Sequence, residues 1–260
     1  MPLPVRRFRR ERRRKDVLSS LLPNGFYFNR TGFCPCCEQF VSFESYDYWL
    51  RDYFLCENCS SIPRERALMR IIESLYPGWR GLSVFESSPS PRGASVKLQR
   101  ECNNYLSAFY FHGKEPGSMV DCYRNENLED LTFENESFDL VVTQDVMEHL
   151  YHPENAFKEI ARVLKPGGAH IFTVPLVNNH RPSEKWAIEG NNNEPVFLKT
   201  PEFHGNPIDP TGCPVTMHWG FDIIRVIADA SGMESEIIQM EDLDYGISGA
   251  FCEVIVSRKQ

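Results

Sequence analysis

The stretch Phe138–Pro175, FDLVVTQDVMEHLYHPENAFKEIARVLKPGGAHIFTVP, constrains the fold more than any other part of the chain. Apolar residues at 140–142 indicate a buried strand, and apolar residues then recur at helical spacing from 156 to 164. The segment 165–168 ends the helix with a proline and two glycines, and residues 169–174 resume as a second apolar strand. Strands joined in this way lie parallel with a right-handed crossover, so the sequence predicts an α/β fold.

The same motifs resemble the second half of a class I S-adenosylmethionine-dependent methyltransferase. The resemblance rests on the FDLVV strand, the pair Glu148-His149, the RVLKPGG turn and the HIFTVP strand. It is close over 128–175 and looser over about 81–257. It implies a Rossmann-like, doubly wound sheet of seven strands, with the ligand at the carboxyl ends of the strands. The alternative is an unrelated doubly wound domain with the same order of elements.

Length and composition favour one main domain with a small appendage, since the chain has 260 residues of which 42% are hydrophobic. No apolar run approaches the ~20 residues needed to span a bilayer. The N-terminus is arginine-rich and lacks the apolar core of a signal peptide. We therefore expect a soluble, cytoplasmic protein without a transmembrane segment.

The charge is distributed unevenly along the chain. The net charge is −8, although residues 1–16 contribute +6, which leaves −14 for the remainder. An acidic body binds a phosphate backbone poorly, which argues against a nucleic-acid partner. The basic tail is predicted to be solvated and disordered, and the alternative is that it contacts nucleic acid or an anionic membrane surface.

Two CxxC motifs predict a structural zinc site, with Cys34, Cys37, Cys56 and Cys59 as ligands. Zinc prefers four thiolates in a tetrahedron, and each CxxC turn supplies two of them. The odd total of nine cysteines fits metal binding in a reducing compartment better than a disulfide scaffold. Cys36 could replace Cys37, and a redox dithiol or plain buried cysteines are the competing interpretations.

A helix is predicted after this zinc ribbon, capped by Ser60 or Ser61 and ending at Pro77-Gly78. Its arginines include Arg64, Arg66 and Arg70. A zinc knuckle followed by such a helix resembles a bacterial subgroup of type 11-like methyltransferases with an N-terminal ribbon. The alternative for the arginines is a solvated helix face.

The predicted organisation has three parts. They are a tail and connector at 1–30, a zinc-ribbon module at 31–62, and a methyltransferase domain at 63–260 with a lid-like insert at 176–219. The insert is long and polar, and loops of this length are typically functional lids or linkers. Its HGNP segment at 204–207 also resembles the ribbon-bearing subgroup. We therefore predict that the insert covers the substrate.

The resemblance implies an S-adenosyl-L-methionine site that begins at Glu86. In the family an acidic residue at the end of the first strand precedes a GxG loop, which lets the cofactor approach the backbone. Here Glu86 matches the acid, while Ser88 and Ser90 replace the two central glycines. Small serines still allow close approach, and the prolines of this loop pre-organise it.

Four further positions are expected at or near the cofactor. Phe109 falls where most relatives carry an acid that binds the ribose, so either Glu115 or Asp121 replaces that contact or the contact is absent. Asn127 is the best match for the residue at the adenine edge, and a plain turn is its alternative. The resemblance also implies that Gln144 walls the pocket and that His149 hydrogen-bonds the cofactor or substrate.

The predicted function is methyl transfer to a small polar acceptor, for example a sugar-like one. Because the enzyme mainly aligns donor and acceptor, a base is needed only for a weak nucleophile such as a hydroxyl. His149, His204 and His218 are the candidate catalytic residues, and a capping or core role is the alternative for His149. The alternative functions are a non-catalytic binding module with a degenerate methyltransferase fold and an RNA methyltransferase.

Overall fold

The structure, a computed structural model, describes residues 25–191 and 194–260. The basic tail at 1–16 lies outside the described residues. The strands in chain order are β1 (Phe28–Cys34), β2 (Gln39–Ser45), β3 (Leu55–Cys56), β4 (Ser83–Ser87), β5 (Asn104–Phe109), β6 (Met119–Val120), β7 (Tyr123–Asn125), β8 (Phe138–Gln144), β9 (Leu164–Thr173), β10 (Glu184–Lys185), β11 (Ala187–Glu189), β12 (Pro195–Phe197), β13 (Phe203–His204), β14 (Cys213–Pro214), β15 (Met217–His218), β16 (Glu234–Ile238) and β17 (Val254–Arg258). The helices are α1 (Leu50–Tyr53), α2 (Pro63–Leu75), α3 (Gly93–Glu101), α4 (Pro153–Val163) and α5 (Ile223–Ser231), with short 3₁₀ helices at Trp79–Gly81, Met147–His149 and Leu243–Tyr245.

The main sheet has eight strands in the order β16-β17-β9-β8-β4-β5-β7-β6. The five strands from β9 to β7 are parallel, and β17, β16 and β6 run antiparallel to their neighbours. The order reverses at β4, which pairs with both β5 and β8. This confirms the predicted Rossmann-like, doubly wound sheet, which has eight strands instead of the predicted seven because the two-residue strand β6 extends its edge.

The predicted strand–helix–strand unit forms because its apolar residues lie on the faces that it buries. Val142 in β8 packs on one side of the sheet and Val141 on the other, and both are fully buried. Helix α4 buries Phe157 and Ile160 against the sheet. It ends at Val163, and Gly167 then adopts a φ of +78°, which favours glycine.

Two hydrophobic clusters cover the two faces of the sheet. One joins α2 and α3 to the N-terminal three-stranded sheet β1–β2–β3, through residues such as Phe43 and Phe54. The other joins α4 and α5 to the insert, through residues such as Trp219. The N-terminal sheet therefore shares its core with the main sheet.

The predicted cap of α2 is wrong. Ile62 is the N-cap residue, and its backbone N–H donates to the Glu65 carboxylate at 3.0 Å. Ser61 instead contacts Arg66, whose Nη1 lies 3.2 Å from the serine hydroxyl. Ser60 has a φ of +58°. Ser61 therefore bonds to a buried arginine side chain of α2 and does not cap the helix.

The arginines of α2 do not form a solvated face. Arg66 is fully buried and donates to the carbonyl oxygens of Phe54 at 2.8 Å and Gly246 at 3.0 Å. The Arg70 guanidinium lies 3.9 Å from the centre of the Tyr245 ring. These contacts tie the helix to the ribbon on one side and to the C-terminal loop on the other.

The described part of the insert at 176–219 is built from short antiparallel strand pairs, β10–β15, β11–β12 and β13–β14. Thr216 anchors it to the segment after β8. Its backbone N–H donates to the Glu148 carbonyl at 2.8 Å and its hydroxyl to the Leu150 carbonyl at 2.6 Å. Separately, none of the helices in the described ranges is long and apolar enough to cross a bilayer.

Candidate functional site

Two adjoining cavities lie at the carboxyl ends of β4, β5 and β8. The first has a volume of about 940 Å³ and the second a volume of about 860 Å³. Ser88, Val146 and His149 line both of them. Ligands of doubly wound sheets bind at this edge, where the strand order reverses, and the volumes are typical of small-molecule sites.

The serine loop after β4 lies in the wall of the first cavity. Ser88 has a φ of +55°, and both Ser88 and Ser90 line that cavity. The Ser90 hydroxyl donates to Oε1 of Glu65 at 3.2 Å. At Gly93, a Cβ would lie 2.1 Å from Oε2 of Glu65, so the loop needs glycine there. The loop is thus fixed against α2.

Glu86 lies behind the cavity wall and lines neither cavity. Its buried carboxylate accepts hydrogen bonds from Ser95 Oγ at 2.6 Å, Tyr105 Oη at 2.7 Å and Gln144 Nε2 at 2.9 Å. Burial raises the pKa of Glu86 above its usual value. Gln144 is the member of this network that reaches the first cavity. Its Oε1 is buried and has no hydrogen-bond partner among the described residues, which leaves it open to a donor on a ligand.

The other predicted cofactor residues separate between the two cavities. Phe109 lines the first cavity and Asn127 the second. The Asn127 side-chain oxygen also accepts from the backbone N–H of Glu129 at 3.0 Å, as the turn alternative requires. Glu115 and Asp121 are exposed and line neither cavity.

The three predicted histidines converge around two carboxylates. His149 Nε2 and His204 Nδ1 lie 3.7 Å and 3.5 Å from Oε1 of Glu148. Glu202 lies on the other side, where its oxygens are 3.4 Å from His204 Nε2 and 3.0 Å from His218 Nε2. All five side chains line the first cavity. The strand pairs of the insert therefore bring residues that are distant in sequence to the end of β8.

Glu148 is the buried group of this cluster, with 1% exposure, and neither carboxylate oxygen has a hydrogen-bond partner among the described residues. Burial by itself lowers the pKa of His149, but the Glu148 charge and Cys213 outweigh burial and raise the pKa to about 9. His149 Nδ1 lies 2.8 Å from the Pro214 carbonyl oxygen. The sequence pattern indicated His149 and did not indicate Glu148 or Glu202 as site residues.

The N-terminal ribbon and α2 supply another wall of the first cavity, through Trp49 and Arg51 of the ribbon and Arg64 of α2. Arg51 Nη2 and Arg64 Nε lie 2.6 Å and 2.8 Å from Oδ2 of Asp145, the residue after β8. Burial raises the pKa of Asp145, but the two guanidinium groups outweigh it and hold the pKa well below the usual value. Nothing in the spacing of these residues predicts this contact between ribbon and sheet.

Replacing Asp145 with asparagine is expected to lower the free energy of unfolding by about 1.5–3 kcal/mol, because it removes one of the two carboxylates that pair with Arg51 and Arg64 and leaves them only Asp52. Urea denaturation measures the change. Asp229→Asn is the matched control, since Asp229 pairs with Arg225 while both side chains are exposed. The control should change stability by less than about 0.5 kcal/mol.

A comparison of wild type and Asp145→Asn at different pH values tests the same ion-pair cluster. The folded pKa of Asp145 is below the ordinary value of 3.8, so its stabilisation is present above that pH and is lost as the pH falls toward the folded pKa. The stability gap between wild type and Asp145→Asn should therefore be constant near neutrality and shrink in acid. A gap below about 1 kcal/mol at neutral pH would refute the structural role of this ion-pair cluster.

The four predicted metal-binding cysteines form one group. Cys34 Sγ lies 3.7 Å from Cys59 Sγ, and Cys37 Sγ lies 3.9 Å from Cys56 Sγ. Four sulfurs at about 2.3 Å from a tetrahedral zinc are about 3.8 Å apart, so the geometry fits that ion. Cys36 Sγ is turned away and lies 3.7 Å from the Glu65 carbonyl oxygen, which favours Cys37 as the ligand.

Residues 104–172 match the family model described as "Methyltransferase domain". The match covers β5 through most of β9 and includes the segment on which the resemblance rested. It confirms the resemblance to methyltransferases for this part of the chain.

Curated relatives and a solved structure are similar over parts of the chain. A ubiquinone biosynthesis O-methyltransferase of Hahella chejuensis is 35% identical over 111 residues, which are 42% of this chain and 45% of the relative. A ubiquinone biosynthesis O-methyltransferase of Xanthomonas oryzae pv. oryzae is 43% identical over 89 residues, which are 34% of this chain and 37% of the relative. The chain thus spans less than half the length of these relatives. An S-adenosylmethionine-dependent methyltransferase of Mesorhizobium loti aligns with a TM-score of 0.48 and 13% identity, over 74% of this chain and 98% of that one.

Proposed function

We propose that the protein is an S-adenosyl-L-methionine-dependent methyltransferase that methylates a small polar acceptor at an oxygen atom. The observation that carries the proposal is that the first cavity extends from the serine loop and Gln144 to the histidines of the insert. One end suits a methyl donor and the other suits a hydroxyl that must lose a proton. The match over 104–172 and the O-methyltransferase relatives support the same reaction class.

The cofactor half consists of groups that bind and orient. The free Oε1 of Gln144 is placed to accept a hydrogen bond from the ammonium group of the cofactor. Ser88 and Ser90 are small enough for close approach, and Asn127 in the second cavity is the proposed partner of the nucleoside. The cofactor supplies a methyl group on a sulfonium. Glu86 acts as a positioning residue, because it holds the Gln144 amide by its Nε2.

The acceptor half consists of the histidine cluster. With a pKa of about 9, His149 carries its proton at neutral pH and is a poor base in the free protein. His204 and His218 share Glu202, which orients both rings toward the cavity. A proton released by an acceptor hydroxyl is therefore taken up by one of these two rings. Trp186, stacked on His218 with ring centres 3.7 Å apart, helps to exclude water.

The closed cysteine cluster is proposed to hold a structural zinc ion. Four thiolates leave no open position for a substrate, so the metal contributes to folding and takes no part in the chemistry.

Calorimetry with S-adenosylhomocysteine tests the cofactor site without knowledge of the acceptor. We expect Gln144→Ala to weaken binding by roughly 10- to 100-fold, since a hydrogen bond to a charged group contributes about 1.5–3 kcal/mol. Gln99→Ala, on the exposed side of α3, is the matched control and should bind as wild type does. If wild type gives neither heat nor a thermal shift at millimolar ligand, the non-catalytic binding module becomes the better interpretation.

A further inference from the structure

We propose that Glu148, His149 and His204 form a divalent-cation site in the first cavity, separate from the cysteine cluster. Their ligand atoms, one carboxylate oxygen and two imidazole nitrogens, lie within 4.8 Å of one another. The three residues come from the 3₁₀ helix after β8 and from strand β13 of the insert. A cation here would join the insert to the main sheet.

The buried carboxylate is the first argument. Glu148 is 1% exposed, and an ionised carboxylate at such a position requires a compensating charge or hydrogen bonds. The proton on His149 supplies that charge in the metal-free protein, and a divalent cation would supply it after displacing the proton. The nearest imidazole nitrogens, at 3.5 Å and 3.7 Å, are beyond normal hydrogen-bond distance. Two ligands at about 2.1 Å from one tetrahedral ion are about 3.4 Å apart. The observed spacing is therefore closer to that of two ligands sharing an ion than to that of a hydrogen bond.

The outer partners of the two histidines are the second argument. His149 Nδ1 lies 2.8 Å from the Pro214 carbonyl, which can only accept, so the proton is on Nδ1 and the lone pair of Nε2 faces Glu148 when the ring is neutral. His204 Nε2 lies 3.4 Å from Glu202, which leaves its Nδ1 facing Glu148. Metal-binding histidines characteristically donate their other N–H to a carbonyl or carboxylate in this way.

The ligand set indicates which ions fit. One carboxylate and two imidazoles suit zinc and neighbouring transition metals better than magnesium or calcium. Three protein ligands leave positions open, and the His204 side chain is 34% exposed toward the cavity. An acceptor oxygen can occupy such a position. Binding of the acceptor oxygen to the cation rests on the proposed function. It would leave His218 to take up the proton of the acceptor, because His204 would be a metal ligand. Cation binding by itself does not depend on methyl transfer.

The experiment titrates the full chain, loaded with a single equivalent of zinc for the cysteine cluster, with Co²⁺ and follows heat and visible absorption. Cobalt bound by nitrogen and oxygen lacks the intense thiolate band that cobalt bound by cysteines shows. We expect one equivalent of cobalt without that band. Glu148→Gln and His204→Ala each remove a ligand and should weaken binding by roughly 100-fold or more, and Glu202→Gln, which removes an outer partner, by about 10- to 100-fold.

His152→Ala is the matched control, because His152 is half exposed, pairs with Glu189 and lies outside the cluster. It should bind cobalt as wild type does. The proposal is overturned if wild type binds no cobalt beyond exchange at the cysteines, in which case Glu148 and His149 form only an ion pair. It is also overturned if both ligand variants bind as tightly as wild type. Neither readout involves the cofactor, so a failure here is distinct from a failure of S-adenosylhomocysteine binding.

Discussion

Replacement of Cys56 by serine is expected to abolish zinc binding at the cysteine cluster and to unfold residues 28–62 before the central sheet. Structural zinc sites contribute about 10–16 kcal/mol of apparent binding free energy at neutral pH, which a ribbon of three short strands cannot replace. Cys56 is buried within the group of four thiols, so its loss leaves the remaining three without a complete tetrahedron. Elemental analysis of reduced protein and limited proteolysis measure the two effects.

The matched control is Cys36→Ser. Cys36 is equally buried and adjacent to a ligand, but its sulfur lies outside the cluster. It should keep one zinc per chain and an intact ribbon. Wild-type protein with much less than one zinc, or a Cys36→Ser variant that loses zinc as Cys56→Ser does, would show that the proposed ligand set is incorrect.

Replacing His204 with alanine is expected to lower the rate of methyl transfer by roughly 10²–10⁴-fold, as is typical when a proton-transfer or metal-binding group is lost. Binding of S-adenosylhomocysteine should change little, because Ser90 and Gln144 are held by Glu65 and Glu86 and neither contacts His204 or its partners Glu148 and Glu202. The measurement begins with a screen of small polar acceptors against wild type. Turnover and cofactor affinity are then compared in the variant.

His180→Ala is the control from the same insert, since His180 is exposed and lines neither cavity. It should retain full turnover. A purely structural role for the insert predicts the opposite pattern, in which His204→Ala loses stability while each folded molecule turns over normally. If His204→Ala and His218→Ala both keep the wild-type rate with a working acceptor, the insert is not the catalytic lid.

Local sequence patterns predicted the sheet because the spacing of apolar residues indicates which faces of the strands and helices are buried. Apolar runs, the proline at the start of α4 and the glycines after it determine β8, α4 and β9, and those elements place Gln144 and His149 at the ligand edge. The same reasoning grouped the four cysteines, since each CxxC turn is itself a local structure.

Contacts between distant parts of the chain could not be predicted in this way. Arg51 and Asp145 are 94 residues apart, and no periodicity links them. Glu86 matched a sequence motif, yet its three hydrogen bonds place it behind the wall that Gln144 forms. The contact between Glu148 and His204 of the insert depends on how the short strand pairs fold over the cavity. Composition and residue spacing do not predict that arrangement.

The hydrogen bonds of the buried Arg66 guanidinium can be completed only late in the synthesis of the chain. The guanidinium bridges the carbonyl of Phe54, which is made early, and that of Gly246, which lies 180 residues after Arg66 in the chain. At about 5–20 residues per second, the ribosome needs on the order of 10–40 s to make the intervening chain. Throughout that interval the N-terminal segment lacks its last acceptor, and the part of the Phe43 ring against which Gly246 finally packs is uncovered. A nascent chain therefore carries an unfinished N-terminal surface until translation is nearly complete, and a chain that stops before Gly246 never buries it.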